Sequence, residues 1–145
     1  MTENIYATTV AIEDKGVLII GKSGAGKSDL ALRLIMNKNA TLIADDRTDI
    51  ENIDEKIICS CPKNIQGKLE VRGIGIIDFP FLSSVELKLV VQLVSDYTEI
   101  ERLPLPEYKD ILGVKIPLIK IHPFSLSAVE KVVLSCCKNN QLLAN

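Results

Sequence analysis

The chain has no tryptophan, one histidine and six other rings (three Tyr and three Phe) in 145 residues. So few rings argue against a platform for stacking single-stranded bases. Basic charge is not in excess either. Seventeen Lys and Arg against 19 Asp and Glu give a net charge of -2, without the basic footprint that duplex nucleic acid demands. No apolar run nears the length of a membrane span. The opening "MTENIYATTV" has no charged region leading into an apolar core, so we expect no signal peptide and a soluble, cytoplasmic protein. Cysteine is scarce and poorly spaced for zinc: Cys59 and Cys61 make C-x-C, and Cys136 and Cys137 are adjacent. All four sit in apolar surroundings, "KIICSCP" and "VVLSCC", and read as buried, reduced thiols.

What is present suits a globular domain. The chain is 47% hydrophobic and 25% charged, and its length is that of one domain, which we take as residues 1-145. "YATTVAI" (Tyr6 to Ile12) reads as a β-branched strand, and "VLII" as a short strand covered on both faces. After it, Leu30, Ala31, Leu34 and Ile35 recur at helical spacing up to "NKNA". "TLIADD", "DEKIICSCP", "KLEVRGIGIIDF" and "VELKLVVQLV" read as further strands, the third bent at its glycines. "LPLPEYKDILGV" reads as a loop, and "KIPLIKIHP" as an edge strand that tolerates its prolines. "SLSAVEKVVLSCCKN" reads as a helix, with Ser125 or Ser127 as N-cap and Glu130 in its first turn. The fold class is α/β.

Between "VLII" and the first helix stands G-x-x-x-x-G-K-S, Gly21 to Ser28: Gly21, Lys22, Ser23, Gly24, Ala25, Gly26, Lys27 and Ser28. Strand, glycine-rich loop and helix are the context that a phosphate-binding P-loop requires. Gly21, Gly24 and Gly26 are expected to take backbone angles closed to other residues, so that successive N–H groups form an anion nest. The helix starting near Lys27 adds its positive end. Lys27 is placed to reach the β- and γ-phosphates, and the Ser28 hydroxyl to ligate Mg²⁺. The side chains of Lys22 and Lys38 read as ordinary surface cations.

Two acidic clusters follow. "TLIADD" puts Asp45 and Asp46 at the end of a buried strand, where open α/β sheets bind ligands. One acid can support a metal shell while the other takes a proton from an attacking hydroxyl, a division that suits phosphoryl transfer to an alcohol. The alternative is a solvated acidic turn with Arg47. In "LEVRGIGIID", Glu70 and Arg72 are two apart and on a strand share a face. They can serve as a metal ligand and a phosphoryl clamp, or as a simple ion pair on a wet strand.

"GKSGAGKSDLALRLI", "LIADD" and "LEVRGIGIID", in that order, resemble the catalytic domain of HPr kinase/phosphorylase. The resemblance runs from about Tyr6 to about Pro123, in the short form that lacks the separate N-terminal domain. It implies a P-loop α/β domain with a central mixed β-sheet, similar to the nucleotide-binding domain of phosphoenolpyruvate carboxykinase. It implies ATP- or pyrophosphate-dependent phosphorylation of a serine on HPr, the phosphocarrier protein of the sugar phosphotransferase system. It also implies the reverse phosphorolysis and a homo-oligomer, usually a hexamer. Carried over, Gly21 to Ser28 bind the nucleotide phosphates, and Ser28 and Glu70 hold Mg²⁺. Asp45 supports the metal and its water. Asp46 is the general base, and the general acid in reverse. Lys27 contacts the β- and γ-phosphates. Arg102, in "EIERLPL", falls where the family has a catalytic arginine, and Arg72 is counted with these as catalytic.

Two positions depart from the family pattern. Tyr6 stands where the family has a histidine before the P-loop, and a phenol cannot become a cation near pH 7. The arginine- and glycine-containing loop that long members carry near the C-terminal end is here "PLIKIHPFSLS", with Lys120 as its nearest cation. His122 reads as a structural or solvated residue. The resemblance therefore supports the kinase direction more directly than phosphorolysis. Two other readings of the same loop are a small-molecule P-loop kinase and a nucleotide-sensing module without catalysis.

Overall fold

A computed structural model describes residues 1-137. The chain runs β1 (Thr2–Tyr6), β2 (Thr8–Ile12), β3 (Lys15–Ile20), α1 (Lys27–Lys38), β4 (Thr41–Ala44), β5 (Arg47–Ile53), β6 (Lys56–Ser60), β7 (Lys68–Val71), β8 (Gly75–Asp78), β9 (Ser84–Leu93), β10 (Glu107–Ile111), β11 (Val114–Ile121) and α2 (Ala128–Cys137). Nine of these strands form one mixed sheet in the order β1-β5-β6-β9-β3-β2-β4, with β11 also on β9 and β10 outside β11. β7 and β8 form a separate hairpin.

Strand direction positions the site. β3, β9 and β11 are parallel neighbours. β2 is antiparallel to both β3 and β4, so β4 runs the same way as β3. The carboxyl ends of β3, β4, β9 and β11 therefore share one edge of the sheet, the edge where α/β sheets bind ligands.

The apolar run Val17, Leu18 and Ile19 is fully buried because both faces of β3 are covered. On one face, Leu30, Ala31 and Leu34 of α1 and Ala128, Val129 and Val132 of α2 pack on Val10, Val17, Ile19, Leu89 and Val91. On the opposite face Ala11, Leu18 and Val90 cluster with Ile50, Ile57, Cys59 and Ile116, all from strands. Lys38, read as an ordinary surface cation, pairs with Glu130 at 3.3 Å and so joins the two helices at the surface. α1 stops at Asn39, which takes a left-handed conformation (φ 57°) as an asparagine readily does.

Several elements differ from the sequence reading. The Tyr6–Ile12 strand is two strands, broken at Ala7, whose N–H donates to Asp46 O at 3.1 Å while its carbonyl accepts from Thr48 Oγ1 at 3.0 Å. Among the described residues β1 pairs only with β5, and neither carries a strong apolar alternation to announce it. Residues 107-111, read as loop, form β10, a hairpin partner of β11 across Leu112 and Gly113. β11 is consequently not an edge strand. Pro117 is tolerated because it faces Tyr108 of β10, while pairing with β9 starts one residue later at Leu118. α2 begins directly after Ser127 with Glu130 in its first turn, and the expected Lys138 and Asn139 end of that helix lies outside the described residues.

Candidate active site

The loop after β3 has the backbone that a P-loop needs, with one difference. Gly24 (φ 79°) and Gly26 (φ 103°) are left-handed, but Gly21 is not. Gly21 answers a different constraint: a Cβ there would lie 3.2 Å from both Ala25 Cβ and Leu93 Cβ. Ala25 N–H donates to Lys22 O at 2.9 Å, closing the turn, and α1 begins at Lys27. Its first N–H groups and the positive end of the helix face the mouth of the loop.

Lys27 is only 6% exposed. Its ammonium donates to the carbonyls of Gly21 and Lys22, both at 3.0 Å, and lies 4.2 Å from the centre of the Tyr6 ring. The Arg47 guanidinium stands 5.5 Å from that ring. Such cation–ring contacts are favourable. The Tyr6 phenol thus faces the P-loop lysine.

Asp45, 8% exposed, ties three elements together. Its Oδ1 accepts from Ser28 Oγ at 2.6 Å and from Thr8 Oγ1 at 3.0 Å. Its Oδ2 accepts the backbone N–H of Glu70 at 3.1 Å. Thr8 in turn accepts the Asp46 N–H at 3.2 Å. Asp46 sits in the left-handed region (φ 71°), which aspartate enters more readily than most non-glycine residues.

These groups meet in a cleft of about 490 Å³. Ser23, Gly24, Gly26, Lys27 and Ser28 line it from the loop, Asp45 and Asp46 from the end of β4, and Glu70 and Arg72 from the β7–β8 hairpin. Arg72 lies in the turn after β7 rather than on the strand, so strand alternation is not what aligns it with Glu70. Gly21, Lys22 and Ala25 shape the loop from behind. Arg102 is not brought to this cleft: it is exposed in the segment that leads to β10.

The donor set fits Mg²⁺. Ser28, Asp45 and Glu70 offer hard oxygen ligands at the mouth of a phosphate nest. Among the described residues, no group of three or more His, Cys, Asp or Glu could hold a metal by itself. Mg²⁺ needs only one or two carboxylates when phosphates and waters complete its shell.

The sequence matches the family model described as HPr Serine kinase C-terminal domain over residues 1-144. The chain belongs to that family. An HPr kinase/phosphorylase from Cupriavidus metallidurans is 44% identical over 116 residues, covering 73% of this chain and 36% of the relative. One from Caldicellulosiruptor bescii is 38% identical over 127 residues, covering 80% and 40%. The chain thus spans about two-fifths of the length of the curated relatives it matches. The solved structure of the Hpr(Ser) kinase/phosphatase from Coxiella burnetii superposes with a TM-score of 0.82 at 30% identity, covering 97% of both chains. The mixed α/β fold is therefore that of this kinase family.

Sequence reasoning left several residues in and beneath the cleft without a role. Thr8 is fully buried yet polar, and only the folded sheet shows that it serves Asp45 and Asp46. Tyr6 stood out as a departure, without its contact to Lys27. Leu32 and Phe124 gave no signal, because an apolar residue on a helix or in a loop usually packs in the core.

Proposed function

We propose that this chain is a protein-serine kinase that transfers a phosphoryl group from ATP or pyrophosphate to a serine of HPr, with Mg²⁺. The observation that carries the reading is the shared edge of β3 and β4, with the phosphate nest and Asp46 lining one cleft. The names of its relatives support HPr as acceptor.

In this reading Lys27 and the loop N–H groups bind the donor phosphates, and Arg72 neutralises charge on the transferred group. Asp46 accepts the proton of the serine hydroxyl as its oxygen bonds to phosphorus and the bond to the departing phosphate breaks. Mg²⁺, held by Ser28 and Glu70 and supported by Asp45, supplies charge neutralisation at the phosphate oxygens when bound. Phosphorolysis would run the same step backwards, with inorganic phosphate taking the phosphoryl group and Asp46 returning the proton. A protein acceptor suits the cleft, because α1 passes through only Asn39 and Ala40 into β4, leaving no lid between them.

We place the protein in the cytoplasm, as a homo-oligomer. Leu103 and Leu105, 84% and 82% exposed beside Arg102, would be covered by a second copy, and a hexamer is what the family resemblance implies. That packing would give Arg102 a role at a neighbouring cleft. The test of the function is transfer itself: incubation with Mg²⁺, ATP and HPr from the same genome should add one phosphate to an HPr serine, seen by mass spectrometry. ATP binding without transfer would leave a sensor, or a kinase with another acceptor.

A further inference from the structure

Three rings gather at the P-loop edge of the sheet. Tyr97 and His122 stack face to face, with centres 4.1 Å apart and planes 5° from parallel. Phe124 stands edge-on to His122 at 6.0 Å and 68°. The Phe124 N–H donates to His122 Nδ1 at 3.2 Å, and Arg33 of α1 donates to the Pro123 carbonyl, so the segment is fastened to the P-loop helix. A Cβ on Gly26 would stand 3.7 Å from Phe124 Cζ, so the ring abuts the loop itself. Yet Phe124 is 68% exposed. It lines the cleft together with Leu32, one turn along α1.

Topology sets this apolar wall opposite the acidic one. In the sheet, β4 lies two strands from β3 on one side, through β2, and β11 lies two strands from β3 on the other, through β9. Asp46 follows β4 and Phe124 follows β11, so they flank the P-loop from opposite sides. A phosphate chain in the loop with its reacting end toward Asp46 has its other end toward Phe124. In ATP that other end is the nucleoside.

We propose that Phe124, held by the His122–Tyr97 stack and flanked by Leu32, is the stacking surface for the base of the donor nucleotide. The inference rests on the P-loop kinase reading and deepens it. An aromatic face accepts any base, and the His122 nitrogen nearest Phe124 is already occupied by a backbone N–H, so adenine and guanine nucleotides should bind alike.

The experiment compares a non-hydrolysable ATP analogue with tripolyphosphate, each with Mg²⁺, by calorimetry. In Phe124→Ala, the ATP analogue should bind about tenfold more weakly while tripolyphosphate binding stays unchanged. Phe124→Trp should restore nucleotide affinity, and a GTP analogue should match the ATP analogue in the unaltered chain. Equal losses for both ligands, or for neither, would overturn the proposal, as would an effect confined to the KM for HPr. Tripolyphosphate failing to bind the unaltered chain would instead sink the P-loop reading beneath it. Because Phe124 is exposed, its truncation should leave the circular dichroism spectrum unchanged.

Discussion

Ser28 Oγ donates to Asp45 Oδ1 across 2.6 Å, joining the first turn of the P-loop helix to the end of β4. A hydroxyl bonded to a carboxylate at this distance is the strong, charge-assisted kind. It fixes where the Ser28 lone pairs point, which is what a hydroxyl in the proposed role of Mg²⁺ ligand requires.

Asp45 accepts three hydrogen bonds with little exposure, so its replacement should cost stability as well as activity. Asp45→Asn removes the charge from these bonds and must either lose the Glu70 N–H or turn both hydroxyls round to accept, at a total of about 1-3 kcal/mol. Urea denaturation should show a loss in that range. An unchanged midpoint would mean that the carboxylate is not holding the site together.

Lys27→Ala should abolish detectable phosphate binding, because the variant keeps the N–H nest and loses the cation. Calorimetry with tripolyphosphate reads this directly. Unchanged affinity would refute the role of Lys27.

Asp46→Asn is the substitution that isolates proton transfer. Asparagine tolerates a φ of 71° better than alanine does, so the loop keeps its shape. Nucleotide affinity should stay within about twofold, while transfer to HPr falls about a hundredfold or more. A fully active variant would remove Asp46 as the base.

Alkaline pH should destabilise the fold through buried thiols. Burial pushes Cys59 up to about 12 and Cys61 to about 11, from 9.0. In the folded chain both stay neutral, and in the unfolded chain they ionise above about 9, so stability is full below that pH and falls above it. The slope is about 1.4 kcal/mol per pH unit per thiol up to the folded value. Urea midpoints at pH 8 and 10 should show it, and Cys59→Ala should make the fall shallower even though it lowers stability at pH 8.

Light scattering at working concentration should report an oligomer, and Leu103→Asp should shift it toward monomer. A monomeric unaltered chain would withdraw the neighbouring-cleft role of Arg102.

The parts of the site written in contiguous residues were legible before folding. The P-loop declares itself because eight neighbouring residues carry the nest, the lysine and the hydroxyl. "LIADD" does so because a buried strand ends in acids. Gly21 was legible in identity but not in reason, since its neighbour Leu93 lies 72 positions away and meets it only through the β3–β9 pairing. The same holds for Thr8 with Asp45, and for Phe124 with Gly26. β10 was missed because the prolines of "LPLPEYKDILGV" mask a strand whose residues are mostly exposed. Its order comes from β11 rather than from its own apolar pattern.

β9 serves three strands: β6 at its beginning, β3 along its length and β11 at its end. Its ten residues start at Ser84, long after β3 and the loop have left the ribosome. Until they arrive, β3 has only the antiparallel β2 beside it, and Leu18 has no Val90 neighbour. The P-loop is thus synthesised before the strand that backs it, and its formation depends on closing a long stretch of chain, the slow kind of step. A nascent chain cut before residue 84 would carry the whole G-x-x-x-x-G-K-S signature without the strand that backs it.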